Sequence, residues 1–133
     1  MDIGLNPDGP HSPDRTREVG QLFDDASRFL TYATMEHRGG LTYPADAHAL
    51  VADLYAATGR FPQICEQLKA FLAAQCYTGS LYEARGEDVG ERVAAAAYHL
   101  GLARRAASNL TEMLQAVQAD IAGLSVEDNP DAT

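Results

Sequence analysis

The feature that most constrains the fold is a long apolar repeat near the C-terminus. From Val93 to Leu124, apolar residues recur in alternating steps of three and four, which is the 3.5-residue period of a helix packed along its length on other helices. The repeat consists of Val93, Ala96, Leu100, Ala103, Ala107, Leu110, Leu114, Val117, Ile121 and Leu124. Asp88 and Glu91 upstream form a capping-box-like start. We therefore expect a helix from 89 to about 124, roughly 54 Å long.

Three further helices are expected upstream. Ser12-Pro13 begins the first, whose stripe of Val19, Leu22, Phe23, Ala26, Phe29, Leu30 and Ala33 runs toward Gly39-Gly40. Tyr43-Pro44 begins the second, with Gly59 predicted as a left-handed C-cap. Phe61-Pro62 begins the third almost at once. This short connection predicts that the second and third helices form an antiparallel or steeply angled pair, which is a tight helical hairpin.

The long last helix needs extensive cover, since helices average about twelve residues. The second and third helices in series could supply it, or the first helix with a second subunit. With Val93 at heptad position a and Ala96 at d, positions e and g hold Ala97, His99, Arg104, Ala106, Thr111, Met113, Gln118 and Asp120. Complementary e/g charges are nearly absent, which favours the seam of a bundle over a parallel two-stranded coiled coil.

The length of 133 residues corresponds to one domain. We expect a disordered arm at 1–12, a helical domain at 13–124 and a disordered acidic tail at 125–133. The predicted fold is all-α: a four-helix bundle with long first and fourth helices and a tight helical hairpin between them. Its predicted core consists of Leu22, Phe23, Phe29, Leu30, Leu50, Leu54, Ile64, Leu68, Phe71, Leu100, Leu110 and Leu114.

The charge distribution bears on possible partners. Formal net charge is −9, but the segment 15–124 carries thirteen acidic and ten basic residues, so the tails supply most of the negative charge. This balance disfavours a polyphosphate partner. The chain shows no signal-peptide pattern and no long apolar run, so we expect a cytoplasmic protein with no membrane segment.

Motifs that carry chemistry are missing from the sequence. Cys65 and Cys76 are eleven residues apart in one expected helix, about 16 Å along its axis, so they are predicted to be reduced core thiols. We find no Glu-x-x-His, Cys-x-x-Cys, Gly-x-Ser-x-Gly or phosphate-binding glycine pattern. The sequence thus predicts no metal site, no cofactor and no enzymatic activity.

A helix-turn-helix is the most specific alternative, in the hairpin at 47–77. The apolar spacing around Gly59 fits such a motif. However, the helix that would enter the DNA groove offers Gln63, Glu66, Gln67 and Lys69, a near-neutral set with few phosphate contacts. Nucleic acid is therefore a disfavoured partner. A bundle that binds a small apolar ligand is a further alternative.

Two segments suggest a resemblance. The stretch ALVADLYAATGRFPQICEQLKAFL and the Ala-rich VAAAAYHLGLARRAASNLTEMLQAV resemble small uncharacterised helical proteins of Streptomyces-type actinobacteria, over about residues 45–120. The resemblance implies an actinobacterial source and an all-helical fold. It implies no activity and no functional residues.

The function predicted from these features is a non-catalytic helical protein–protein interaction module that self-associates through the last helix. Large apolar side chains in its C-terminal half cost free energy if they remain in water. The expected interaction surface consists of Leu110, Met113, Leu114, Val117, Ile121 and Leu124. The expected partner is a second copy, giving a homodimer, or another helical protein.

Overall fold

A computed structural model describes residues 4–126, and over that range the regular structure is entirely α-helical. Four helices follow in chain order: α1 (Pro13–Ala33), α2 (Pro44–Thr58), α3 (Phe61–Tyr77) and α4 (Val89–Ile121). The chain divides into two compact units, Met1–Thr42 and Tyr43–Thr133. The prediction of an all-α protein is confirmed. The outermost parts of the expected arm and acidic tail lie outside the described residues.

Capping fixes the helix starts as the sequence predicts. The Ser12 Oγ accepts a hydrogen bond of 3.0 Å from the Arg15 N–H, and the Asp88 carboxylate accepts one of 2.9 Å from the Glu91 N–H. α1 is shorter than expected because it ends at Ala33, and bends with a positive φ at His37 follow before Gly40.

The four-helix bundle is not matched by the structure. The first unit contains α1, which has no buried residue. In the second unit, α2, α3 and α4 pack together, with both α2 and α3 against α4. The packed assembly is therefore one of three helices.

The prediction of a tight hairpin between α2 and α3 is also wrong. Gly59 has φ −62° and ψ −19°, and Arg60 has φ −90° and ψ −15°, so both are right-handed and the predicted left-handed cap is not formed. The Gly59 N–H donates to the Tyr55 carbonyl at 3.0 Å, and the Arg60 N–H donates to the Ala57 carbonyl at 3.2 Å. The chain therefore continues forward instead of reversing. Pro62, which has no N–H, interrupts the helical ladder here.

Two contacts between side chains fix how α2 and α3 lie on α4. The hydroxyl oxygens of Thr58 and Thr111 are 2.9 Å apart, and the Arg104 Nε lies 3.2 Å from a Glu66 carboxylate oxygen. Moving forward from Thr58 to Glu66 thus moves backward along α4 from Thr111 to Arg104. α2 and α3 run in series, antiparallel to α4, which is one of the two arrangements expected to cover the long helix.

The buried core is small and differs from the predicted one. Among the described residues, only Thr58 (7% exposed) and Ala107 (8%) are buried. None of the twelve predicted core residues is buried: Leu30, Leu50, Leu100 and Leu114 are half-buried, and the others are exposed. The core formed by this chain alone is therefore confined to the crossing of α2 with α4.

None of the helices within residues 4–126 combines the length and apolar character that crossing a bilayer requires.

Candidate interaction surface

The side of α4 that packs on α2 and α3 is rotated from the predicted one. Most of the buried or half-buried residues of α4 occupy heptad positions a and e, where the sequence predicts a and d. We call this set the inner face of α4: Val93, Ala97, Leu100, Ala107, Thr111, Leu114, Gln118 and Ile121. The rotation follows from size, since Ala107 and Thr111 at the crossing are small enough for a close approach of α2.

The rotation leaves the d and g positions of α4 from 103 to 117 exposed. Leu110 is 48% exposed, Met113 54% and Val117 40%. Ala103 and Ala106 continue the same stripe toward the N-terminus and are also exposed. We call these five residues the α4 outer stripe.

The structure divides the six residues of the predicted interaction surface. Leu110, Met113 and Val117 belong to the α4 outer stripe, and Leu124 is exposed just beyond the end of the helix. Leu114 and Ile121 are half-buried on the inner face. The predicted surface therefore combines two sides of one helix, of which one is already used within the chain.

Sequence reasoning missed a second apolar stripe, on α2 and α3. Ile64 is 47% exposed, Leu68 49% and Phe71 59%, and Leu54 extends their line into α2. We call these four residues the α3 outer stripe. The sequence analysis placed all four in the core. The signal that could have separated them is the heptad phase, because these four residues occupy positions d and g, while most of the buried or half-buried residues between 51 and 76 occupy positions a and e.

The inner face of α2 and α3 keeps one phase across the break at Gly59 and Arg60. Its buried or half-buried members are Val51, Tyr55, Thr58, Pro62, Cys65, Leu72 and Cys76. With Val51 and Thr58 at position a, this face again uses a and e, and the α3 outer stripe uses d and g. α2 and α3 therefore present one continuous pair of faces. Both cysteines are free thiols on the inner face.

Electrostatics separates the two sides as well. At the a and e positions of α2, α3 and α4 between residues 51 and 118, the charged residues are Lys69 and Arg104, and both are exposed. Arg104 pairs with Glu66, and both are about half exposed, so this ion pair contributes only about 0–1 kcal/mol. No charged residue occupies a d or g position from 47 to 75 or from 96 to 117. Both outer stripes are therefore uncharged.

The connector between α3 and α4 is held by ion pairs. The Glu83 carboxylate accepts hydrogen bonds from the Arg85 side chain and, at 2.5 Å, from the Arg85 backbone N–H. These two bonds, the side-chain bond first, lower the pKa of Glu83 below its ordinary value of 4.5. Glu87 contacts both Arg85 and Arg92. The cluster braces the turn, and each of these charged groups already has a partner.

The first unit holds a cleft of about 320 Å³ at the end of α1. It is lined by Phe29, Tyr32, Ala33, Arg38, Gly39 and Gly40. Gly40 lies so close to the Ala33 carbonyl oxygen that a Cβ there would clash with it. Phe29 and Tyr32 are largely exposed to solvent, so the cleft is an open surface feature.

Two other kinds of site receive no geometric support. Between residues 4 and 126, no three His, Cys, Asp or Glu side chains converge as a metal site would require. A helix-turn-helix requires two helices that pack across a sharp turn, whereas α2 and α3 run in series and contact each other little.

Comparison with known proteins identifies no relative of this chain. No protein-family model, curated protein or solved structure matches the chain. The resemblance to actinobacterial helical proteins stays a prediction.

Proposed function

We propose that this protein is a cytoplasmic, non-catalytic helical interaction module that self-associates through α4 as a homodimer. The observation that carries the proposal is the exposure of Leu110, Met113 and Val117 in a line on the side of α4 turned away from α2 and α3. An apolar side chain of this size contributes about 1.5–3 kcal/mol when it is fully removed from water. Covering the stripe would therefore stabilise an assembly substantially.

The small core supports the same function. Thr58 and Ala107 are the buried residues of the described chain, and both are small. A helical unit that relies on so little buried volume gains stability when a partner covers its other apolar residues. Obligate homodimers often depend on such shared burial and have no stable folded monomer.

The proposed function is tested by light scattering on the wild type and two matched double variants. Leu110→Glu with Val117→Glu places two charges on the α4 outer stripe. Ser108→Glu with Gln115→Glu places two charges with the same spacing on an exposed side of the same helix. We expect a dimer for the wild type and the control, and a helical monomer or an unfolded chain for the stripe variant.

Two results would contradict the proposal. One is a wild type that remains monomeric at micromolar concentrations. The other is loss of the dimer in both double variants, because the effect would then reflect added charge instead of the stripe. If the wild type is a monomer that binds a different helical protein through Leu110 and Val117, self-association is wrong and the partner is the other expected kind, a different helical protein.

A further inference from the structure

The two outer stripes lie on the same side of the antiparallel pair formed by α2–α3 and α4. On each element most of the buried or half-buried residues occupy heptad positions a and e, and the large apolar residues of the two outer stripes occupy d and g. Successive positions turn about 100° around a helix. Seen from one end of an antiparallel pair, the residue positions run clockwise around one helix and counterclockwise around the other. The d and g positions, which flank the a and e face of each helix, therefore lie on the same side of the pair. Ile64 and Leu110 therefore belong to one surface.

We infer that a second copy of this chain docks on that surface as a whole, so that the α3 outer stripe is buried in the dimer together with the α4 outer stripe. The inference rests on the proposed self-association and extends it from one helix to two. Two such faces placed against each other form a four-helix bundle from two chains. In that assembly the apolar residues of the outer stripes are covered by the helices of the second chain.

The available area fits this occupant. Seven large side chains of the two stripes are between 36% and 59% exposed: Leu54, Ile64, Leu68, Phe71, Leu110, Met113 and Val117. Together they expose several hundred Å² of largely apolar surface on one copy, and a specific dimer buries about 800 Å² per partner. The α4 outer stripe supplies three of these seven large side chains. Both stripes are needed to reach the range of a stable interface.

The chemistry of the surface suits a second copy. A two-fold interface brings each patch against its own equivalent, so like charges within it would repel. The d and g positions are uncharged from 47 to 75 and from 96 to 117. The nearest charged groups, such as Asp53 and Arg60, lie at the rim. Two copies of this surface can therefore pack against each other without bringing like charges together.

The decisive variant is Ile64→Glu with Phe71→Glu, compared with Gln63→Glu and Ala70→Glu. Both pairs lie seven residues apart on α3, and all four positions are exposed in the single chain. Sedimentation velocity should show at least a tenfold weaker dimer for the stripe variant and an unchanged dimer for the control. Far-UV circular dichroism of both variants reports whether the helices remain.

A measurement on the wild type keeps the inference testable if the stripe variant unfolds. Ile64 on the outer stripe and Ile121 on the inner face are the isoleucines of the described residues. In a methyl-labelled sample, the Ile64 signal should shift on dilution through the dimer transition, while the Ile121 signal changes much less.

The possible failures differ in meaning. If Leu110→Glu with Val117→Glu gives a monomer but Ile64→Glu with Phe71→Glu remains a wild-type dimer, α4 alone is the interface and the inference is overturned. An Ile64 methyl signal that stays fixed through the dimer transition also overturns it. A wild-type monomer overturns both the inference and the proposed function.

Discussion

The Thr58 and Thr111 hydroxyl oxygens lie 2.9 Å apart where α2 crosses α4, and the two buried residues of the described chain, Thr58 and Ala107, lie at this crossing. Thr111 has one hydrogen to donate and a second acceptor within reach, the Ala107 carbonyl oxygen at 2.8 Å. The other carbonyl near the Thr58 hydroxyl is that of Tyr55, at 3.4 Å. This polar contact fixes the register in which α2 and α3 lie along α4.

The two threonines should respond unequally to replacement by valine. Thr111→Val leaves the buried Thr58 hydroxyl with only the long contact to Tyr55, so we expect a loss of about 1–2 kcal/mol in unfolding free energy. Thr58→Val leaves Thr111 bonded to Ala107 and should cost less than about 1 kcal/mol. Urea unfolding at fixed protein concentration measures both, and a double variant less destabilised than the sum would confirm their coupling. Equal losses would argue against this hydrogen-bond arrangement.

Ala107 should not tolerate a larger side chain. Ala107→Leu places three extra carbons in the closest part of the crossing, and overpacking of this kind costs about 1–3 kcal/mol. Ala119→Leu is the matched control, because Ala119 is exposed on the same helix. We expect the control to unfold at nearly the wild-type denaturant concentration. If both variants unfold alike, the crossing is looser than the structure indicates.

Gly40 should be required in the bend after α1. A Cβ at Gly40 would lie 2.1 Å from the Ala33 carbonyl oxygen, which belongs to the backbone and can move only if the bend moves. Gly40→Ala should therefore shift the amide resonances of residues 33–42. Gly20→Ala, at an exposed site in α1 with nothing near its Cβ, should leave those resonances in place and raise helicity slightly. Unchanged resonances in Gly40→Ala would contradict the close approach.

Glu83 should titrate at lower pH than an ordinary glutamate. Because Arg85 favours the carboxylate form, the pKa of Glu83 in the folded chain lies below 4.5. The stabilisation of the connector is then present above the unfolded pKa and is lost as the pH falls through the folded pKa. Carboxyl-carbon NMR titration can follow this directly. Arg85→Gln should raise the pKa of Glu83 toward its ordinary value, and an unchanged pKa in that variant would contradict the role of Arg85.

Local signals in the sequence predicted the helices themselves. Ser12 and Asp88 bond to the first turns as expected, and Pro44 and Pro62 stand in the first turns of α2 and α3. These features depend on residues within one turn of each other, so no distant part of the chain can alter them. The apolar period of α4 likewise follows from its own sequence.

The path between α2 and α3 could not be predicted in the same way. A glycine between two helices fits both a left-handed cap, which reverses the chain, and the right-handed conformation that Gly59 adopts. The choice depends on the contacts of both helices with α4, such as that between Thr58 and Thr111, which are 53 residues apart in the sequence. Local propensity alone does not contain that information.

The sequence by itself determined that the chain is helical, where its helices begin and which residues of α4 are apolar. Only the tertiary structure decided which of those apolar residues face the chain's own helices. The physical reason is that a stripe of positions a, d, e and g is wider than one neighbouring helix can cover. Thr58 and Ala107 direct the close approach toward a and e, and Ile64 and Leu110 remain exposed on the other side.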